Sequence, residues 1–248
     1  MAKRRKKRLR INPKFLLAVF ILILSMVIMF VTPLFHIRDI QISGNERISK
    51  AEILIASGIR ENKNIFAINK GNAVKKIKGL GYIENVKISR KLPGRVDIEV
   101  KEGKVTAFLD YGGMYAGINT SGQALCRISK ASPVSGAPIV KGLGVIKADV
   151  GDKVRLRRDK DDEYEILEKL MKTFEEYSLT EYITEVDVTK KNDIMFRYKG
   201  KLKIELGSLN DYGLKFNYIR AMLSELGTDA TGVINMQSEN YTYRNTIE

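Results

Sequence analysis

A long apolar run without charged residues, residues 15–35, constrains this chain more than any other feature. It reads FLLAVFILILSMVIMFVTPLF and contains no charged residue. A helix of that length rises about 1.5 Å per residue and spans about 30 Å, the thickness of the hydrocarbon core of a bilayer. A helix in a globular core would carry polar residues along one face, whereas here only Ser25 and Thr32 interrupt the run. The run therefore predicts a single transmembrane helix over residues 15–35.

The charges that flank this run predict its orientation. Residues 1–14 carry only positive charges, on Lys3, Arg4, Arg5, Lys6, Lys7, Arg8, Arg10 and Lys14. The positive-inside rule places this basic tail in the cytoplasm and sends the chain after residue 36 across the membrane. A cleaved signal peptide is the alternative, but its apolar region would be shorter and would end at a small-x-small site, which residues 32–36 lack. We therefore expect a single-pass protein of the cytoplasmic membrane.

The composition of the remaining chain excludes several classes of function. The formal net charge of +14 is concentrated in the tail, which has no interleaved aromatic residues, so lipid headgroups are a better partner for it than nucleic acid. The single cysteine, Cys126, rules out an internal disulfide. The single histidine, His36, lies at the end of the apolar run. With one residue of each type, most metal sites and most histidine-dependent catalysis are excluded, and we expect no metal and no cofactor.

Residues 36–103 carry the pattern of a small α/β domain. Strand-like alternation over residues 36–43 precedes a capping box, Ser49-Lys50-Ala51-Glu52, which begins a helix that ends near Gly58. A second helix is predicted over residues 72–78, and two strands are predicted over residues 82–90 and 95–102. The order is β-α-α-β-β, in which two helices can cover one face of a three-stranded sheet.

Residues 104–244 carry the pattern of a larger β domain with two helices. Short strands are predicted over residues 104–110, 114–118 and 123–128, and a three-strand meander over 183–188, 193–198 and 201–206. The helices are predicted over residues 158–177 and up to about residue 226, before a final strand that begins near residue 232. Residues 245–248 form the end of the chain. The predicted fold class is a membrane-anchored α+β protein with a mixed or antiparallel second sheet.

The order of these segments resembles a known family. The stretch FHIRDIQISGNERISKAEILIASGI, residues 35–59, and the later NIFAIN and RKLPGRVDIEVKE stretches resemble a POTRA domain. Residues 138–142, PIVKG, 207–215, GSLNDYGLK, and 232–236, GVINM, resemble elements of the domain that follows it in the FtsQ/DivIB family. Two departures stand out, since Asn119 and Asn235 occupy positions where that family usually carries aspartate.

The resemblance implies a function without catalysis. Members of the family act as scaffolds of the bacterial division complex at the septum, so the implied partners are FtsL-like and FtsB/DivIC-like single-pass proteins. The implied role is to help regulate septal peptidoglycan synthesis. The rival hypothesis is a POTRA-type translocation component that receives nascent strands, at an edge strand over residues 36–43 or 95–101.

The resemblance also implies a binding site at the last strand of the second domain, which accepts a partner strand through main-chain hydrogen bonds. Carried over to this chain, that strand covers about residues 233–243. The implied contact residues are Val233, Asn235, Gln237, Ser238, Asn240, Tyr241 and Tyr243. The alternative for Tyr241 and Tyr243 is that they border the core or belong to a frayed terminus.

Two chemical alternatives remain weaker. An anchored thiol enzyme would need Cys126 paired with His36, but a free cysteine inside a strand is usually a small apolar filler. The acidic run of residues 159–163, DKDDE, lacks the glycine and the terminal glutamate of an EF-hand, and acids are favoured at a helix start. The sequence therefore predicts that the chain is not an enzyme.

Overall fold

The computed structural model describes residues 12–129, 136–157, 161–227, 229–238 and 240–245. The first helix, α1, spans Pro13–Val31, begins at the cap residue Asn12 and is followed by a short 3-10 turn, Pro33–Phe35. Residues 1–11 of the basic tail, which carry all of its positive charges except Lys14, lie outside the described residues. No helix in the described ranges is long and apolar enough to cross a membrane.

The first sheet has three strands in the order β1-β3-β2. They are β1 (Asp39–Ser43), β2 (Ile83–Lys91) and β3 (Arg95–Glu102). The central strand β3 runs parallel to β1 and antiparallel to β2. Its alternation is confirmed, because Val96, Ile98 and Val100 are all buried. Because β3 is central, residues 95–101 do not form an open edge, and that part of the translocation hypothesis is wrong.

Two short helices cover this sheet, α2 (Lys50–Ser57) and α3 (Lys70–Lys78). The predicted capping box is confirmed, since the Glu52 amide donates to Ser49 Oγ at 3.2 Å and the Ser49 amide donates to Glu52 Oε2 at 3.0 Å. The helix ends at Gly58, whose φ of 67° is the left-handed conformation that glycine adopts without strain. Ile53 of α2 and Ile77 of α3 are fully buried against the sheet.

The second sheet has nine strands in the order β14-β13-β12-β11-β10-β7-β4-β5-β6. Its members are β4 (Ala107–Tyr111), β5 (Met114–Ile118), β6 (Ala124–Ile128), β7 (Ile139–Lys141), β10 (Ile183–Asp187), β11 (Ile194–Tyr198), β12 (Leu202–Gly207), β13 (Gly232–Asn235) and β14 (Thr242–Arg244). A small separate ribbon pairs β8 (Val145–Lys147) with β9 (Arg155–Leu156). The predicted meander is β10-β11-β12, antiparallel throughout, while β7, β4 and β13 contribute parallel pairs. The sheet is therefore mixed.

The last two helices, α4 (Asp161–Glu176) and α5 (Tyr212–Leu226), pack on one face of this sheet. Three buried phenylalanines join them to it, one from each element: Phe174 of α4, Phe196 of β11 and Phe216 of α5. The ring centroids lie 5.0 Å apart for Phe174 and Phe196 and 5.9 Å apart for Phe196 and Phe216. Aromatic pairs at these distances stabilise a core beyond the area that they bury.

Hydrogen bonds join the two sheets where the start of β2 meets the start of β6. The Tyr82 amide donates to the Leu125 carbonyl at 2.8 Å, and Gln123 Nε2 donates to the Ile83 carbonyl at 2.9 Å. The Arg47 guanidinium lies 4.3 Å from the centre of the Tyr82 ring. The two hydrogen bonds tie the start of β2 directly to the second sheet.

Candidate functional site at the C-terminal sheet edge

The C-terminal end of the described chain forms the outer edge of the nine-stranded sheet. Strand β13 runs parallel to β12, and β14 then pairs antiparallel with β13, with Ile234 opposite Tyr243. Residues 233–243 are therefore two short strands, where the sequence led us to expect one. The outermost strand of this edge is β14.

A polar turn separates the two strands. The Asn235 side chain accepts a hydrogen bond from the Gln237 amide at 3.0 Å, and the Ser238 hydroxyl donates to the Asn240 carbonyl at 3.0 Å. Asparagine and serine bond the nearby backbone in this way and offer it an alternative to the sheet ladder. The Gln237 side chain also donates to Asp193 Oδ1 at 2.7 Å, which holds the turn against the residue that precedes β11.

The two predicted tyrosines lie against the protein's own core. Tyr243 faces the same side as buried Ile234, and its hydroxyl donates to the Thr231 carbonyl at 2.9 Å. Tyr241 packs edge-on against Tyr218 of α5, with ring centroids 5.1 Å apart. Both rings border the main core cluster, as the alternative interpretation expected. Their side chains have partners within the fold.

The opposite face of this edge is polar. Val233 lies opposite Arg244 and Asn235 opposite Thr242, so these four side chains share the face that points away from α4 and α5. Asn235 Nδ2 donates to Glu205 Oε2 at 3.0 Å, and Lys203 Nζ lies 2.7 Å from Glu205 Oε1. The carboxylate of Glu205 thus holds the Asn235 and Lys203 side chains on the polar face, which extends from β13 to β12.

Thr242 and Arg244 are the edge residues that sequence reasoning missed. Side chains alternate along a strand, so these two residues, and not Tyr243, present their side chains on the polar face of the outermost strand. The polar cluster of residues 235–240 is typical of a turn, so the sequence could have predicted two strands over residues 233–243. Chemically, such an edge offers main-chain donors and acceptors rather than a reactive group.

The residues of the thiol-enzyme alternative lie in different clusters. Cys126 is buried in β6 with Phe108 and Ala137. His36 forms a bridge with Asn64, beside the first sheet. A hydrogen bond with Cys126, together with burial, raises the pKa of Tyr82. Of the acidic run, residues 159 and 160 lie outside the described residues, and the described part of the chain contains no cluster of three or more His, Cys, Asp or Glu side chains that could hold a metal ion.

One cavity of about 520 Å³ lies beside α4, lined on one side by Ala107 and Ile118 and on the other by Leu167 and Met171. Asn119 also borders it and is 4% exposed. Its Oδ1 accepts from the Ser121 and Gln123 amides at 3.1 and 3.0 Å, whereas its Nδ2 has no hydrogen-bond partner. An aspartate here would keep these acceptor contacts without the unpaired donor.

Comparison with known proteins agrees with this architecture. Residues 35–102, which contain the first sheet and its two helices, match the family model described as "POTRA domain, FtsQ-type". The chain is 26% identical to the cell division protein DivIB of Clostridium botulinum over 215 residues, covering 86% of this chain and 82% of that protein. It is 23% identical to DivIB of Bacillus subtilis over 239 residues, covering 96% and 85%. A cell division protein FtsQ from Koribacter versatilis is 25% identical over 175 residues, covering 69% and 49%. The chain is thus similar to DivIB and FtsQ cell division proteins over most of its length, and its residues 35–102 form an FtsQ-type POTRA domain.

Proposed function

We propose that this chain is an anchored scaffold of the division complex, and that β14 accepts a strand from an FtsL-like or FtsB/DivIC-like partner at the septum. In this proposal residues 1–14 form a cytoplasmic tail, 15–35 the anchor, 36–103 the POTRA domain and 104–244 the β domain. The scaffold helps to regulate septal peptidoglycan synthesis through its partners. Similarity to DivIB and FtsQ proteins supports a role in cell division, and the FtsQ/DivIB family is not enzymatic, so the chain is not an enzyme.

The anchor is supported by the character of residues 15–35. These residues carry no charge, and α1 followed by the 3-10 turn accounts for most of them. Most of the α1 apolar side chains that the structure describes are exposed, including Phe15 at 63% and Leu22 at 66%. Exposed apolar side chains in such a density are stabilised by lipid rather than by water.

Separate cores support the division into two domains. One buried cluster is formed by residues of the first sheet, α2 and α3, and the largest cluster by residues of the second sheet, α4 and α5. The family model ends at residue 102, next to the proposed boundary. Each cluster is the kind of hydrophobic core that a domain of its size requires.

The observation that carries the proposed binding mode is the position of β14. Within the described residues it pairs with a strand on one side only, so its other side presents unpaired main-chain groups. An added strand would gain main-chain hydrogen bonds there, and side chains would supply selectivity. The proposed contacts from the sequence are Val233, Asn235, Gln237, Ser238, Asn240, Tyr241 and Tyr243, to which the register adds Thr242 and Arg244.

Proline substitution along β14 tests this proposal. The Met236 amide donates to the Glu205 carbonyl of β12, so the amides of Val233 and Asn235 face β14, and the Tyr243 amide faces outward. Tyr243→Pro removes that outward amide, and Tyr243→Ala is its control because it removes the ring but keeps the amide. The full chain in detergent would be titrated with the extracytoplasmic segments of its FtsL-like and DivIC-like partners. We expect Tyr243→Pro to weaken binding at least tenfold relative to Tyr243→Ala.

A matched control is Ile40→Pro in β1, one of the two outer strands of the first sheet. The Asp39 amide donates to the Gly94 carbonyl beside β3, so the next amide, that of Ile40, faces outward. This outer side of β1 favours the translocation hypothesis as the second candidate, since a nascent strand could pair with it. If Ile40→Pro weakens binding and Tyr243→Pro does not, strand addition at β14 is contradicted. If the unmodified chain binds neither partner segment, the proposed partners are wrong.

A further inference from the structure

The end of the first domain that adjoins the proposed anchor is built from two loops. The Ile37 amide donates to the Lys63 carbonyl and the Asn62 amide to the Ile37 carbonyl, both at 2.9 Å, directly after the 3-10 turn that ends at Phe35. The Phe35 and Phe66 rings pack edge to face, with centroids 5.4 Å apart. Residues 60–66 are therefore fixed beside the point where the chain leaves residues 15–35.

The turn between β2 and β3 is the second loop. The amides of Arg38 and Asp39 donate to the Gly94 carbonyl at 2.7 and 3.3 Å. A Cβ at Gly94 would lie 2.5 Å from the His36 carbonyl oxygen, so only glycine allows this approach. Leu92 lies two residues earlier in the same turn, at most about 7 Å further along the chain.

Positive charge accumulates on these loops. Arg38, Arg60, Lys63 and Lys91 are exposed, and none of the four has a carboxylate within ion-pair distance among the described residues. The acids Asp39 and Asp97 are held by Arg95, at 3.9 and 2.6 Å, and Glu61 is the exposed acid within residues 60–66, so the loops keep a net positive charge. We name Arg38, Arg60, Lys63, Lys91 and Leu92 the anchor-proximal rim.

An exposed leucine sits within this positive charge. Leu92 is 59% exposed. Apolar side chains surrounded by cations are typical of surfaces that lie in a membrane interface, where the leucine enters the acyl boundary and the cations meet anionic headgroups. At the other end of β3, the Glu102 carboxylate binds the backbone amides of residues 46–48.

We propose that the anchor-proximal rim binds anionic phospholipid on the extracytoplasmic leaflet and so fixes the angle of the first domain to the membrane. The proposal rests on residues 15–35 being the anchor, because the anchor brings the rim to the surface. The ligand chemistry is a phosphodiester headgroup with its acyl chains, contacted by the four cations and by Leu92. Fixing this angle would also restrict the distance of β14 from the membrane surface.

The full chain in lipid nanodiscs tests the proposal. A Cys126→Ala background carries one bimane label, at Leu92→Cys or at the control position Glu46→Cys at the opposite end of β3. The discs contain phosphatidylcholine, with or without phosphatidylglycerol, and a doxyl-labelled lipid as quencher. We expect quenching of the label at position 92 in the anionic discs, and none at position 46.

Charge reversal separates the rim from the rest of the domain. Lys63→Glu with Lys91→Glu should lower the population in contact with lipid at least about fivefold. Each cation near an anionic surface strengthens binding by about that factor. Lys50→Glu with Lys76→Glu makes the same charge change at exposed positions outside the rim and should leave the quenching unchanged.

Three results would overturn the proposal. The first is equal quenching at position 92 in zwitterionic and anionic discs, and the second is the same loss with both lysine pairs. The third is absence of quenching at position 92 although the chain co-purifies with the discs. If the chain does not co-purify with the discs, the proposal that residues 15–35 are the anchor is contradicted. That result is distinct from the three results that contradict lipid binding by the rim.

Discussion

At the scale of single residues, the Glu102 carboxylate organises the start of α2 from a distance of more than fifty positions along the chain. Its Oε1 accepts hydrogen bonds from the amides of Glu46, Arg47 and Ile48 at 2.9, 2.9 and 3.0 Å. Burial acts to raise the pKa of Glu102, but these backbone donors outweigh it and hold the pKa below its usual value. The carboxylate therefore stabilises the fold in its ionised form.

We expect Glu102→Gln to destabilise the protein near neutral pH by about 1 kcal/mol, a modest cost because the carboxylate is partly solvated. Since the folded pKa is lower than the unfolded one, the contribution of Glu102 is complete above about pH 4.5 and is lost as the pH falls through the folded pKa. Thermal melts of both proteins should therefore differ at neutral pH and converge in acid. A difference that is independent of pH would contradict this role.

At the scale of elements, Lys215 fixes α5 to the end of β12. The lysine is 7% exposed, and its Nζ donates to the Leu206 and Ser208 carbonyls at 2.7 and 2.9 Å. Desolvation lowers the pKa of Lys215, against the opposing effect of Asp211. The position corresponds to the lysine of the GSLNDYGLK stretch, so the structure gives that sequence motif a physical role.

Lys215→Met should lower the free energy of unfolding by about 1–3 kcal/mol, because two carbonyl groups at a buried site lose their donor. The matched control is Lys172→Met on α4, whose side chain is 72% exposed and which should change stability little. Chemical denaturation of both variants measures the difference. Equal stability of the two variants would show that the hydrogen bonds of Lys215 contribute nothing net.

Local contacts explain which elements could be predicted from the sequence. The capping box of Ser49 and Glu52 and the stop at Gly58 depend on residues within one or two turns of helix, and both were predicted correctly. Strand order depends on pairing between distant residues, so the central place of β3 and the parallel pairing of β12 with β13 were not predicted. The division of the last strand into β13 and β14 was missed because the turn is made by side-chain hydrogen bonds.

At the scale of the whole molecule, the two sheets expose different edges. The outer strands are β1 and β2 in the first sheet and β14 and β6 in the second, and β1 lies beside the anchor-proximal rim. Hydrogen bonds at the starts of β2 and β6 join the sheets, so β14 lies at the opposite end of the second sheet from this junction. A partner strand on β14 would therefore extend the sheet without disturbing that junction.

The most direct test of this account is amide hydrogen exchange on the full chain, with and without the extracytoplasmic segment of the DivIC-like partner. Pairing with a new strand slows the exchange of the amides that it binds. The account predicts that binding slows exchange within Thr242–Arg244 and leaves Asp39–Ser43 unchanged. Slowed exchange within Asp39–Ser43 with no change within Thr242–Arg244 would contradict it and would favour the β1 edge.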